Sequence, residues 1–161
     1  LLYSASAVYH LLKVPARVEV VLRKLDHIMI FVLIAGTYTP ICLIALRGPA
    51  GYAMLAVVWS LAVAGVFFKV FYLNAPRWAY TGIYLLMGWV CIFAIVPLAR
   101  AVGLRRLVWL FAGGVFYSVG AVIYGLKKPN LIPGWLGFHE IFHIFIILGS
   151  LSHFCFVYLL A

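Results

Sequence analysis

The sequence predicts an all-α polytopic transmembrane helix bundle, and three observations carry that prediction. Of the 161 residues, 68% are hydrophobic and only 9% are charged. The mean hydropathy is +1.19, far above that of a soluble globular chain. Uncharged stretches of about 20 residues recur five times, each long enough to cross roughly 30 Å of hydrocarbon at about 1.5 Å per residue. A disulfide scaffold is excluded, because Cys42, Cys91 and Cys155 are odd in number and scattered inside apolar runs, where they read as small core hydrophobes.

In order, the first stretch, residues 1–12, is apolar but rises only about 18 Å, too short to span. It reads as the back half of a helix in a chain truncated at its N-terminus, with no signal peptide ahead of it. The full spans are predicted at 27–46, 48–68, 78–99, 107–126 and 139–161. Between them lie short links with helix-breaking residues, such as Arg47-Gly48-Pro49, Asn74-Ala75-Pro76-Arg77 and Lys127-Lys128-Pro129-Asn130. The links leave no room for a soluble domain, so one transmembrane domain is expected over 1–161. Trp78, Trp109 and Trp135 lie near span ends, where indoles favour the headgroup level.

The net charge of +9 would suggest nucleic acid on a soluble chain. Here the basic residues separate apolar runs and set topology, so no nucleic-acid partner is expected. Lys13, Arg17, Arg23, Lys24, Lys69, Arg77, Lys127 and Lys128 share one side; Arg47, Arg100, Arg105 and Arg106 share the other. The positive-inside rule places the side with eight in the cytoplasm.

An ionisable group in a span costs roughly 2.5–3.5 kcal/mol at a helix centre, so each calls for a reason. Alternating topology brings His10, Asp26, His139 and His143 to the cytoplasmic leaflet. His139 and His143 are four apart, about 40° around a helix and about 6 Å along it, so both rings can reach one ion. With His10 from another helix they could form a three-histidine zinc site with its fourth position open. In that arrangement Asp26 could hydrogen-bond the water and Ser6, one turn deeper than His10, could touch water or substrate. The same histidines could instead cap helices or line a wet interface, and spacing alone leaves both readings standing. His153 lies about 15 Å beyond His143, too deep for the same ion, and reads with Ser150 as a polar contact between helices.

Residues 139–143 also spell H-E-x-x-H, in which the acid of a zinc metalloprotease activates water. No third ligand pattern follows His143, and Glu140 points about 100° from His139, where it favours the helix N-terminus. Gly36, Gly113, Gly114 and Gly120 are expected to let helices approach closely. Pro40 is expected to kink its span, with Thr37, Tyr38 and Thr39 satisfying the backbone groups it releases. Neither a pair of broken helices nor an inverted repeat is legible, which disfavours transport.

These residues resemble the hemolysin III family, the bacterial branch of the progestin and adipoQ receptor superfamily. Three ordered blocks carry the resemblance: Ser6-Ala7-Val8-Tyr9-His10; Leu25-Asp26 running into Ala35-Gly36-Thr37-Tyr38-Thr39-Pro40; and His139-x-x-x-His143 followed by Ser150 and His153-Phe154. Residues 84–89 and 113–120 are similar to the same branch, and the likeness covers essentially the whole chain.

The resemblance implies a seven-helix membrane protein, lacking here the first helix and part of the second, in a bacterial inner membrane. It also implies zinc held by His10, His139 and His143, with Asp26 and Ser6 as catalytic candidates. The implied activity, by analogy with the adiponectin receptor branch, is hydrolysis of a lipid amide or ester in the manner of a ceramidase, with membrane lipid as the partner. The alternatives are a non-catalytic lipid sensor or a cytolysin with a structural metal, and then an intramembrane metalloprotease.

Overall fold

The computed structural model describes residues 1–72, 76–132 and 135–160. Helix α1 (Leu2–Leu11) is the short first element. With α1 counted as the first rod, five long rods follow as the second to the sixth. Helix α2 (Ala16–Pro40) continues as a π-helical segment to Leu46, and α3 covers Gly48–Phe71. Helix α4 (Arg77–Gly88) is joined by a 3₁₀ segment to α5 (Ile95–Val102). Helices α6 (Leu104–Leu126) and α7 (Phe138–Tyr158) complete the bundle. All five rods are long and apolar enough to cross a membrane. The fold is an all-α polytopic bundle, with no strand among the described residues. Asn74, Ala75 and Ala161, which fall in a predicted link and at a predicted span end, lie outside the described residues.

The second rod begins well before the predicted residue 27. Arg17, Glu19, Arg23 and Lys24 are too polar for hydrocarbon, but they favour helix, so charge ends the apolar run without ending the helix. Pro15, extended at φ −56°, ψ 148°, sets the start. Asp26 therefore sits inside a continuous helix rather than opening one. At the other end of the chain, α7 stops at Tyr158, short of the predicted 161.

Two rods are irregular, and the irregular stretches meet. Pro40 has no N–H to offer Gly36, and the chain answers with π-helical turns over Ile41–Leu46. Thr37 and Thr39 donate to the carbonyls of Leu33 and Ala35, 2.8 and 3.0 Å away, four residues back. Tyr38 acts elsewhere than predicted: its hydroxyl donates to the Gly88 carbonyl at 2.6 Å and accepts the Cys91 N–H at 2.9 Å. It thus satisfies the 3₁₀ stretch Trp89–Ala94 of the fourth rod rather than the groups around Pro40. Pro97 explains that stretch, because it cannot donate to the Phe93 carbonyl and its ring crowds the turn before it.

Two cores hold the rods together. Phe31, Ala35, Tyr38, Val58, Ala62 and Met87 join α2, α3 and α4, while Ile41, Leu98, Leu107, Leu110 and Phe156 form a second cluster. Between helices already in lipid, close packing of small residues takes over much of the role that hydrophobic burial plays in water. A side chain at Gly65 would overlap the Phe31 ring, and one at Gly113 would overlap His153. Gly120 approaches Phe145 similarly, at 3.0 Å from an added Cβ, and Gly114 lies at ordinary contact with Trp89. Gly36 faces open space, so its predicted packing role does not hold.

Gly149 is another close approach. A Cβ there would stand 2.7–2.9 Å from three atoms of the Tyr117 ring, whose hydroxyl is held by Ser150 Oγ at 2.7 Å. Gly149→Ala must push that ring away, at a cost of about 1–3 kcal/mol. A lower thermal midpoint of the detergent-purified protein checks this expectation; an unchanged midpoint contradicts it.

Candidate metal centre

The α6–α7 link positions two of the histidines. Asn130 Oδ1 accepts the Phe138 N–H at 3.0 Å, and the Glu140 carboxylate accepts the Gly137 N–H at 2.9 Å. Both contacts close the first turn of α7. The exposed Glu140 is thereby committed to capping, away from the imidazoles, so a metalloprotease role for it has no geometric support.

His139 and His143, one turn apart on α7, bring their Nε2 atoms to 3.1 Å. His10, near the end of α1, brings its own Nε2 to 3.4 Å from that of His139. All three ligand atoms lie within 4.8 Å of one another. A tetrahedral ion with bonds of about 2.0–2.1 Å separates two nitrogen ligands by about 3.3 Å, which matches both short separations. The donor set therefore fits zinc: three imidazoles turn their Nε2 atoms toward one another, and zinc held by three such nitrogens would keep a fourth position for water or substrate.

Ser6 and Asp26 line the same cavity of about 540 Å³ as the three histidines. The Asp26 side chain is 16% exposed, and the nearest basic group to its carboxylate among the described residues is His27 Nδ1 at 4.0 Å. His27 Nδ1 itself donates to the Arg23 carbonyl at 2.7 Å. At greater depth the lining is mostly apolar, with Ile30, Leu33, Ile34, Leu110, Phe142 and Ile146, but includes Thr37, Tyr38, Tyr117 and Ser118. His153 lies at this deep end, where Nε2 donates to the Leu110 carbonyl at 3.1 Å. It is a contact between α7 and α6, as its depth predicts. Ser150 is also a contact between helices, receiving Tyr3 at 2.6 Å and meeting Tyr117 at 2.7 Å.

Sequence reasoning passed over His27 and Lys69, both on the cavity wall. His27 is recognisable as an ionisable residue adjoining Asp26. Lys69 gives no comparable sign, since its charge reads as a marker of the link that follows.

The family model described as Haemolysin-III related matches residues 1–154. The chain belongs to the haemolysin III family. Within and around that family, Hemolysin-3 of Bacillus cereus is 42% identical over 156 residues, covering 96% of this chain and 68% of that protein. The Hemolysin-3 homolog of Bacillus subtilis (strain 168) is 40% identical over 154 residues, 96% of this chain and 69% of that protein. A more local likeness joins the chain to the ADIPOR-like receptor IZH2 of Saccharomyces cerevisiae, 40% identical over 53 residues, 30% of this chain and 17% of the receptor. No solved structure matches. As a multi-pass member of a family with bacterial relatives this similar, the chain is a membrane protein in contact with lipid.

Proposed function

We propose that the chain is a zinc-dependent membrane hydrolase acting on an amide or ester bond of a lipid. The observation that carries this reading is the convergence of three Nε2 atoms within 4.8 Å on a cavity that also presents Asp26 and Ser6 and then runs between apolar walls.

His10, His139 and His143 would hold zinc. The ion supplies Lewis acidity, which polarises a carbonyl and makes water a stronger acid at neutral pH. Asp26 takes the proton of the attacking water, for which its carboxylate is suited by its place on the wall and its freedom from any hydrogen bond among the described residues. It then returns that proton to the leaving amine or alcohol. The Ser6 hydroxyl orients substrate beside it. The apolar walls hold the acyl chain and keep bulk water from the bond. Purified complete protein, presented with lipid amides and esters of matched chain length, tests the reading. Release of fatty acid that stops on metal removal is the expected result, and undiminished release after metal removal overturns it.

The eight-cation end of the bundle carries the site, which supports a cytoplasmic orientation. Arg77 lies against Tyr124 and Phe138, and Lys24 donates to the Val70 carbonyl at 3.3 Å, so cations from two links gather at that end. In a cysteine-free background, Lys128→Cys should react with an impermeant maleimide in inside-out vesicles and stay protected in intact cells; the reverse pattern overturns this orientation.

A second reading, a lipid sensor with a structural metal, is favoured by one feature: the histidine cluster joins α1 to α7, the two ends of the described chain. A cytolytic role rests on the name of the Bacillus cereus relative alone. Loss of turnover without loss of zinc in an Asp26 variant separates the hydrolase from both.

A further inference from the structure

Lys69 is the one charged side chain buried among the described residues, at 2% exposure in the last turn of α3. A buried ammonium is costly unless a counter-charge or a hydrogen-bonding partner meets it. No carboxylate oxygen lies within 4.0 Å of it among the described residues, although Asp26 shares its cavity. What it does meet is the face of Tyr80, with Nζ 3.9 Å from the ring centroid, a contact that steadies a cation without neutralising it. Lys24, on α2, reaches the Val70 carbonyl in the last turn of α3. Lys69 instead turns inward, onto the wall of the cavity that holds the histidine cluster.

Two guanidinium groups line the same cavity. Arg23 comes from α2, and Arg77, at the start of α4, lies 5.2 Å from the Tyr124 ring and 6.0 Å from that of Phe138. The wall therefore sets three basic side chains against one carboxylate, Asp26, in the cavity that holds the histidine cluster. Cations held at helix ends and against aromatic faces are suited to receive an oxyanion by charge-assisted hydrogen bonds.

The geometry points to an anionic-headgroup subsite, formed by Lys69 with Arg23 and Arg77, that selects acyl lipids carrying a phosphate or carboxylate near the bond presented to the histidine cluster. The inference rests on the lipid-cavity reading above and adds to it the class of lipid. The many apolar side chains in the rest of the lining, Ile30, Leu33, Ile34, Phe142 and Ile146 among them, are what assigns the anion to a lipid rather than to a free ion. Lys69 provides the buried charge, and the arginines at the mouth provide breadth and on-rate.

Two probes with the same acyl chain isolate the headgroup: oleoyl lysophosphatidate, and neutral monooleoylglycerol. Binding of each is measured by native mass spectrometry or tryptophan quenching on complete, detergent-purified protein, with zinc content recorded for every variant. Wild type is expected to bind lysophosphatidate at least about tenfold more tightly than monooleoylglycerol. Lys69→Met should erase that preference while leaving monooleoylglycerol binding unchanged, and Lys69→Arg should restore it. Should Lys69→Met fail to fold, Arg77→Gln is expected to reduce the preference in the same direction. Millimolar inorganic phosphate should fail to compete; competition would assign the cations to free phosphate and overturn the lipid source.

Equal binding of both lipids by wild type, or a preference that survives Lys69→Met and Arg77→Gln, overturns the subsite while leaving the lipid cavity standing. Binding of neither lipid overturns the cavity reading as well. Because the readout is binding and not turnover, it can be repeated on His143→Ala protein, where hydrolysis is not at issue. A preference lost there but unaffected by Lys69→Met would place phosphate recognition on the metal, and would overturn the assignment to Lys69.

Discussion

Asp26→Ala is expected to lower lipid hydrolysis by about 10²–10⁴-fold while zinc stays bound, because the substitution removes a proton acceptor and no metal ligand. The size follows from the position of the carboxylate. It lies on the wall of the cavity that holds the three imidazoles, makes no hydrogen bond among the described residues, and reaches only His27, at 4.0 Å. The substitution removes no hydrogen bond among the described residues, so retained zinc and an unchanged thermal midpoint would assign the loss of rate to the carboxylate. Glu140→Gln is the matching control. The Glu140 carboxylate accepts the Gly137 N–H and points to the start of α7, so its neutral amide should preserve both turnover and metal content. If Glu140→Gln abolishes turnover and Asp26→Ala does not, the general base has been misassigned.

His143→Ala should have the second large effect, lowering zinc affinity by well over a hundredfold. Three imidazoles make the site, two of them one turn apart on α7 and the third at the end of α1. Removing one leaves two ligands and exposes the ion to competing water. A stability consequence accompanies this. A ligand that binds only the folded state stabilises it by about 2.7 kcal/mol at a hundredfold excess over its dissociation constant. Added zinc should therefore raise the thermal midpoint of the wild type in a concentration-dependent way and leave that of His143→Ala unmoved. A zinc-dependent rise of equal size in both proteins would show that the stabilising ion sits elsewhere.

The spans were legible because lipid imposes a length on every crossing element, and uncharged runs of that length can be counted. Helix ends were less so: charge terminates an apolar run at residue 27, whereas the helix begins at Ala16, since Arg17, Arg23 and Lys24 suit helix as well as they suit water. The broken fourth rod depends on Tyr38 reaching Gly88 and Cys91 from another helix, a tertiary contact that local pattern does not encode.

Most of the site was legible for a topological reason. Alternate crossing puts the end of the first helix, the region of Asp26 and the start of the last helix on one side, and the four-residue spacing of His139 and His143 puts two rings on one face. Lys69 escaped the same reasoning. By sequence it is one more cation near a link, and only the direction of its side chain, inward rather than toward headgroups, distinguishes it from Lys24.

The central claim is that His10, His139 and His143 form one zinc site, and metal content tests it most directly. The complete protein, purified in detergent without added metal or chelator, is measured by inductively coupled plasma mass spectrometry beside His10→Ala and His143→Ala. The account predicts close to one zinc per wild-type chain and a large loss in each variant. Near-zero zinc in the wild type that zinc reconstitution does not restore, or zinc undiminished in both variants, would contradict it.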